Sequence, residues 1–182
     1  MRASEFTGEL GNYLNEYKYQ SKLTLKLDKL DDGVFTQETI NEIVLWKLDR
    51  YVFLSDSSLH ELEKLRGLKT GEHRLGESVL QSLLNVHGID LPMASTILRF
   101  RNPSAFQIID RHAYRAIYDK DYPLYTASSI ERKIDVYFDY LDRLVDVCLR
   151  RSLAFETIDR LLYIFDKVNN GKLNKRKGAD KT

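Results

Sequence analysis

Between Thr36 and Val168 apolar residues recur at spacings of three and four, and turn-forming residues cut the pattern into short segments. This repeat lets an α-helix lay one apolar stripe against a core. The one alternating stretch, Leu23 to Leu30, has no partner strand in view and suits a short strand, a helical turn or an extended linker equally. The expected fold is therefore all-α, a multi-helix globule. Its segments begin with Ser4 to about Tyr19, where Phe6, Leu10, Tyr13, Leu14 and Tyr17 share a face, and a break follows at Asp31-Asp32-Gly33. Thr36 is the expected N-cap of a helix to about Arg50, with Phe35 and Ile40 as a hydrophobic staple. Ser58 with Glu61 reads as a capping box for a helix to Arg66, and Gly67 to Gly76 reads as a polar connector. Further helices are expected over Glu77 to Val86, from Pro92 to Phe100 (stopped by Asn102-Pro103), over Arg111 to Asp119, from a Thr126 or Ser128 cap to Arg151, and over Phe155 to Val168.

The chain has 182 residues, enough for one core-bearing domain, and its 43% hydrophobic and 30% charged content is that of ordinary water-soluble proteins. Residues 1–170 are expected to form a single helical domain, with room for two helical lobes. The basic stretch 171–182 (Lys172, Lys175, Arg176, Lys177 and Lys181 against Asp180) reads as a solvated tail. No apolar run approaches the ~20 residues that span a bilayer, and Met1 to Tyr19 shows no secretory h-region. Cys148 is the only cysteine, so an internal disulfide, a cysteine zinc site and an iron–sulfur cluster are excluded. A cytoplasmic location without membrane contact, metal or cofactor is the matching expectation.

The most informative stretch runs from Leu83 to Arg115. Two helices joined by His87-Gly88-Ile89-Asp90, with small Ala94 early in the second, match a helix-hairpin-helix over about residues 77–101. Glycine lets a backbone approach a phosphate closely, and amides at the second helix's N-terminus can donate to it, aided by the helix dipole. Ile89 would pin the turn to the core. Downstream, Ile108-Ile109-Asp110 leads into Asp110-x-His112-x-x-Arg115, and Asp110 lies 22 residues after Gly88.

In hairpin, spacing and pattern together, this quarter of the chain, roughly Leu75 to Asp119, resembles the helix-hairpin-helix DNA glycosylases of the endonuclease III-like superfamily, and within it a group of uncharacterised bacterial proteins. The resemblance implies double-stranded DNA as partner, Asp110 as the catalytic carboxylate, and contacts to DNA from His87, Gly88, Ile89, Leu91, Met93, Arg99 and Arg111. A pocket for the extruded base would draw on Trp46, Lys47, Tyr51, His112 and Tyr114, with Phe53 and Arg50 nearby in sequence. Two positions depart from the family. Asp90 replaces the hairpin's second glycine, which keeps a left-handed backbone accessible but sets a carboxylate near any phosphate. Pro92 stands where bifunctional members carry a Schiff-base lysine, so an enzyme of this sequence would be monofunctional, removing a base by hydrolysis.

Each candidate also has a structural reading. Asp110 before a helix is a natural N-cap. His112 suits an inward-facing histidine bonded to a backbone carbonyl, and Trp46 suits a core aromatic. Tyr137, Phe138, Tyr140, Phe155, Tyr163 and Phe165 recur at helical spacing and read as packing. The same scaffold without chemistry would be a DNA-binding module, or a helical interaction subunit whose hairpin is purely architectural.

Overall fold

The computed structural model describes residues 7–8, 18–29, 36–48 and 51–173. The expected helix over residues 4–17, the break at 31–33, Phe35, Arg50 and the tail beyond 173 lie outside them. Among the described residues there are eight α-helices, three 3-10 turns and no strand. The chain divides into two compact units, Met1–Val52 and Phe53–Thr182.

In the first unit, α1 (Ser21–Leu27) packs against α2 (Gln37–Lys47). The alternating stretch at Leu23 is thus helical, with Leu23 sealed from solvent. Thr36 caps α2 as expected, its hydroxyl accepting from Thr39 N at 3.2 Å, but the helix ends at Lys47. Trp46 joins the two helices: its Nε1 donates to Thr24 Oγ1 at 2.8 Å, and Tyr19 packs edge-on against the indole.

The second unit begins with α3 (Asp56–Lys64), and a 3-10 turn at Leu65–Gly67 follows. Its cap is Ser55, whose Oγ accepts from Ser58 N at 3.1 Å, rather than Ser58 itself. The stretch 67–76 is less polar in its environment than its composition suggests. It closes in a 3-10 turn, His73–Gly76, whose His73 is buried and whose Gly76 admits the ring of Phe106 so closely that a Cβ would meet it at 2.7 Å. Two helices follow, α4 (Glu77–Leu84) and α5 (Leu91–Arg101), which pack against each other and bury Val79, Leu80, Leu83, Leu91, Ala94 and Leu98. Then come α6 (Arg111–Tyr118), α7 (Ile130–Arg151), a 3-10 turn at Phe155–Thr157, and α8 (Ile158–Asn169). The cap of α7 is Ser129, which accepts from Arg132 N, one residue beyond the expected Ser128. Tyr137, Phe138, Tyr140 and Phe155 fill the core as anticipated, whereas Tyr163 and Phe165 face outward.

His73 makes stability pH-dependent. Its ring packs on Phe138, and Nε2 lies 3.0 Å from Asp142 Oδ1 but off the direction of a good hydrogen bond. Burial therefore wins over the attraction of Asp142, and the imidazole pKa is lowered below its ordinary value. The unfolded chain takes up this proton first as pH falls through ~6.5, so the stability gained from a neutral His73 is complete above that pH and shrinks below it. Denaturant midpoints measured between pH 7 and 5 should fall with pH, and His73→Gln should flatten that slope. A wild-type midpoint constant across this range would contradict the assignment.

Candidate functional site: the hairpin and Asp110

The turn between α4 and α5 takes its shape from three residues. Gly88 holds the left-handed backbone at φ 88°, a conformation that suits glycine. Ile89 is buried and pins the turn, and its N–H donates to Val86 O at 3.0 Å. Asp90 is extended, at φ −107° and ψ 171°, and not left-handed: it is the N-cap of α5. Its carboxylate accepts from Leu91 N at 2.7 Å and meets Lys133 Nζ at 2.9 Å, and Lys133 also donates to Thr126 O.

This cap decides what the helix end has left to offer. Pro92, the second residue of α5, carries no N–H. Met93 N and Ala94 N both donate to Asp90 O, at 2.9 and 3.0 Å. The four leading positions of α5 thus hold no uncommitted amide, and the place an incoming anion would take is filled by the protein's own carboxylate. His87 and Met93 are exposed at this end, while Leu91 is wholly buried.

The helix α5 stops at Asn102, a buried side chain that knits the site together. Its Nδ2 donates to Leu65 O and Leu68 O, both at 2.8 Å, and its Oδ1 accepts from Ser104 N. The extended segment from Phe106 to Asp110 is then held from several sides. Tyr137 donates to Gln107 O at 2.9 Å, Tyr140 to Ile108 O at 3.0 Å, and Ile109 N donates to Ser95 Oγ on α5 at 3.2 Å. Burial of Tyr137 and Tyr140 pushes both phenols well above their ordinary range, so they remain donors. Ser95 sits one turn into the helix that the hairpin opens, so one hydrogen bond joins that helix to the residue before Asp110.

Asp110 caps α6, with Oδ1 accepting from Ala113 N at 2.7 Å. The residue is half-buried, and Oδ2 takes no hydrogen bond or ion pair among the described residues. Neither described recess of the surface is lined by Asp110.

The remaining sequence candidates are placed as follows. Arg99 is buried, its Nε 3.4 Å from Asp159 Oδ2 and its Nη2 donating to Glu156 O, so it braces α5 against the start of α8 and the turn before it. Arg111 is half-buried at the start of α6. Tyr114 stacks on Tyr118 with ring centres 4.4 Å apart, edge-on to Tyr122. His112 and Arg115 converge on a residue that sequence reasoning missed, the fully buried Asp166 of α8. His112 Nδ1 is 2.7 Å from Asp166 Oδ2, and Arg115 donates from Nε to Oδ1 at 2.8 Å and from Nη2 to Oδ2 at 2.7 Å. Asn170 completes the shell at 2.8 Å. The Asp-x-His-x-x-Arg pattern therefore divides into a helix cap and a clamp between α6 and α8. Trp46, Lys47 and Tyr51 belong to the first unit, where Trp46 packs on α1 and Lys47 is exposed.

Among the described residues, no group of three or more His, Cys, Asp or Glu is placed to hold a metal ion, and no helix is long and apolar enough to cross a membrane. The fold defines an all-α protein. No protein-family model, curated protein or solved structure matches the chain.

Proposed function

We propose that the protein is a monofunctional DNA glycosylase that removes a modified or damaged base by hydrolysis at Asp110. The observation that carries this reading is the state of that carboxylate. One oxygen is fixed by the α6 cap, the other takes no hydrogen bond or ion pair among the described residues, and Ser95 links its segment to the hairpin helix. Cleavage of the C1′–N bond sends the bonding pair out with the base and leaves positive charge on the sugar, which an oriented carboxylate stabilises while water adds its hydroxyl at C1′ and its proton ends on the departing base. The nucleotide must first leave the duplex stack. Pro92 supplies no amine, so an abasic site and not a cut strand is the product. The experiment is a screen for abasic sites in duplex DNA carrying a pool of modified bases. Release of one base without strand cleavage supports the proposal, and no release from any member of the pool contradicts it.

A second reading keeps DNA binding without chemistry, or makes the hairpin purely architectural; the self-capped end of α5 favours it. It separates cleanly in the same material. Salt-dependent binding without base release marks a binding module, and no binding at low ionic strength marks an architectural hairpin.

Asp90 gives a quantitative check on where DNA docks. Asp90→Asn keeps a good capping side chain, removes one negative charge and frees Lys133. If the hairpin meets a phosphate, affinity for a labelled duplex should rise about fivefold to tenfold, and the salt dependence should steepen by about one ion. Unchanged affinity and slope would place the DNA elsewhere.

A further inference from the structure

On the side of the second unit formed by α6, α7 and α8 lies a trough of about 880 Å³. Ala116 and Ile117 of α6, Val147 of α7, and Leu161, Leu162 and Phe165 of α8 make its apolar floor. The charged residues lining it are Arg143, Arg150 and Arg151, with no acid among the lining side chains. Asp146 pairs with both Arg143 and Arg150, and Arg151 has no ion pair among the described residues, so the rim stays net positive.

The apolar surface does not end with the trough. Along α8, Leu161, Ile164, Phe165 and Val168 are 43%, 58%, 47% and 76% exposed. Their spacing of three, four and seven residues is that of a helix seam. The adjoining stripe, Ile158, Leu162 and Asp166, is buried, so the apolar surface of α8 is wider than the face that is covered. A continuous exposed apolar strip of this kind marks an interaction site.

We infer that this trough and the outer stripe of α8 bind an acidic amphipathic helix of a partner protein. The length of the strip excludes an occupant confined to the trough, because Ile164 and Val168 lie beyond its lining. Arg143 and Arg150, seven residues apart on α7, match acids two turns apart on a helix laid alongside. A second copy pairing two-fold through this face would bring the arginine rims together, which disfavours it.

The test uses a designed, labelled peptide of about sixteen residues, long enough to take up helix. It carries leucines at three- and four-residue spacing and flanking glutamates, and its counterpart has lysines in place of the glutamates. In anisotropy titrations against the full chain the acidic peptide should bind at least about tenfold more tightly at low salt, with the preference shrinking as salt is added. Arg150→Glu with Arg151→Glu should reverse the preference. Ile164→Asp should weaken acidic-peptide binding about tenfold, with an unchanged circular dichroism spectrum and Tm. Absence of binding, or equal affinity for both peptides, overturns the inference. So do wild-type self-association abolished by Ile164→Asp, dodecanoate binding in place of the peptide, and tighter binding by a synthetic peptide of residues 1–17, itself acidic through Glu5, Glu9 and Glu16.

Discussion

Asp166→Ala is expected to lower the unfolding free energy by about 3 kcal/mol, the usual scale for breaking a buried, hydrogen-bonded ion pair by removing one partner. The side chain is completely covered and is bound by Arg115, His112 and Asn170. Without the carboxylate, α6 and α8 lose the clamp between them, and among the described residues Arg115 keeps its bonds to the carbonyls of Gly171 and Lys172. Urea denaturation at neutral pH measures the loss; a change under about 1 kcal/mol would contradict a clamping role.

The same carboxylate has a pH signature. The Arg115 guanidinium, then Asn170 and His112, hold its pKa well below the usual carboxylate range, against the opposing effect of burial. A group whose folded pKa is depressed contributes stability above its unfolded pKa, ~3.9, and that contribution is lost as pH falls below it. The wild type should therefore show an acid limb beginning near pH 4 that is reduced in Asp166→Ala. This window is separate from that of His73, which lies near neutrality.

Much of the local structure was legible in the sequence, and the reasons are local. Thr36, Gly88, Ile89, Ala94 and the Asn102-Pro103 stop each act through their own backbone or nearest turn, so periodicity and turn chemistry suffice to place them. Cap positions slipped where hydroxyls crowd together. Ser55, Ser57 and Ser58 stand within four residues of one another, and Ser128 and Ser129 are adjacent, so only the chain's path selects the cap. Asp90 stands in sequence where a left-handed glycine would, but the helix it precedes uses it as a cap. What was not legible is long-range. Asp166 lies 54 residues from His112 and 51 from Arg115. A signal did exist: an acid on the Ile158, Leu162, Asp166 stripe of an amphipathic helix implies a buried charge and hence a cation opposite. Asp159 with Arg99 follows the same rule, which is why an arginine expected to meet phosphate is found braced inside the protein.

The largest functional effect is expected at Asp110. Asparagine is as good an N-cap as aspartate, so Asp110→Asn should retain the bond from Ala113 N and the stability of α6 while removing the negative charge that the proposed hydrolysis needs. Loss of an oriented charge that faces a developing cation costs about 10²–10³-fold or more in rate. The decisive measurement is therefore single-turnover base release by wild type and Asp110→Asn on a responsive duplex, with Tm and duplex affinity recorded alongside. A fall of at least about 10²-fold in release, with Tm and affinity held, is the expected result. Release at the wild-type rate by the variant would show that Asp110 only caps a helix.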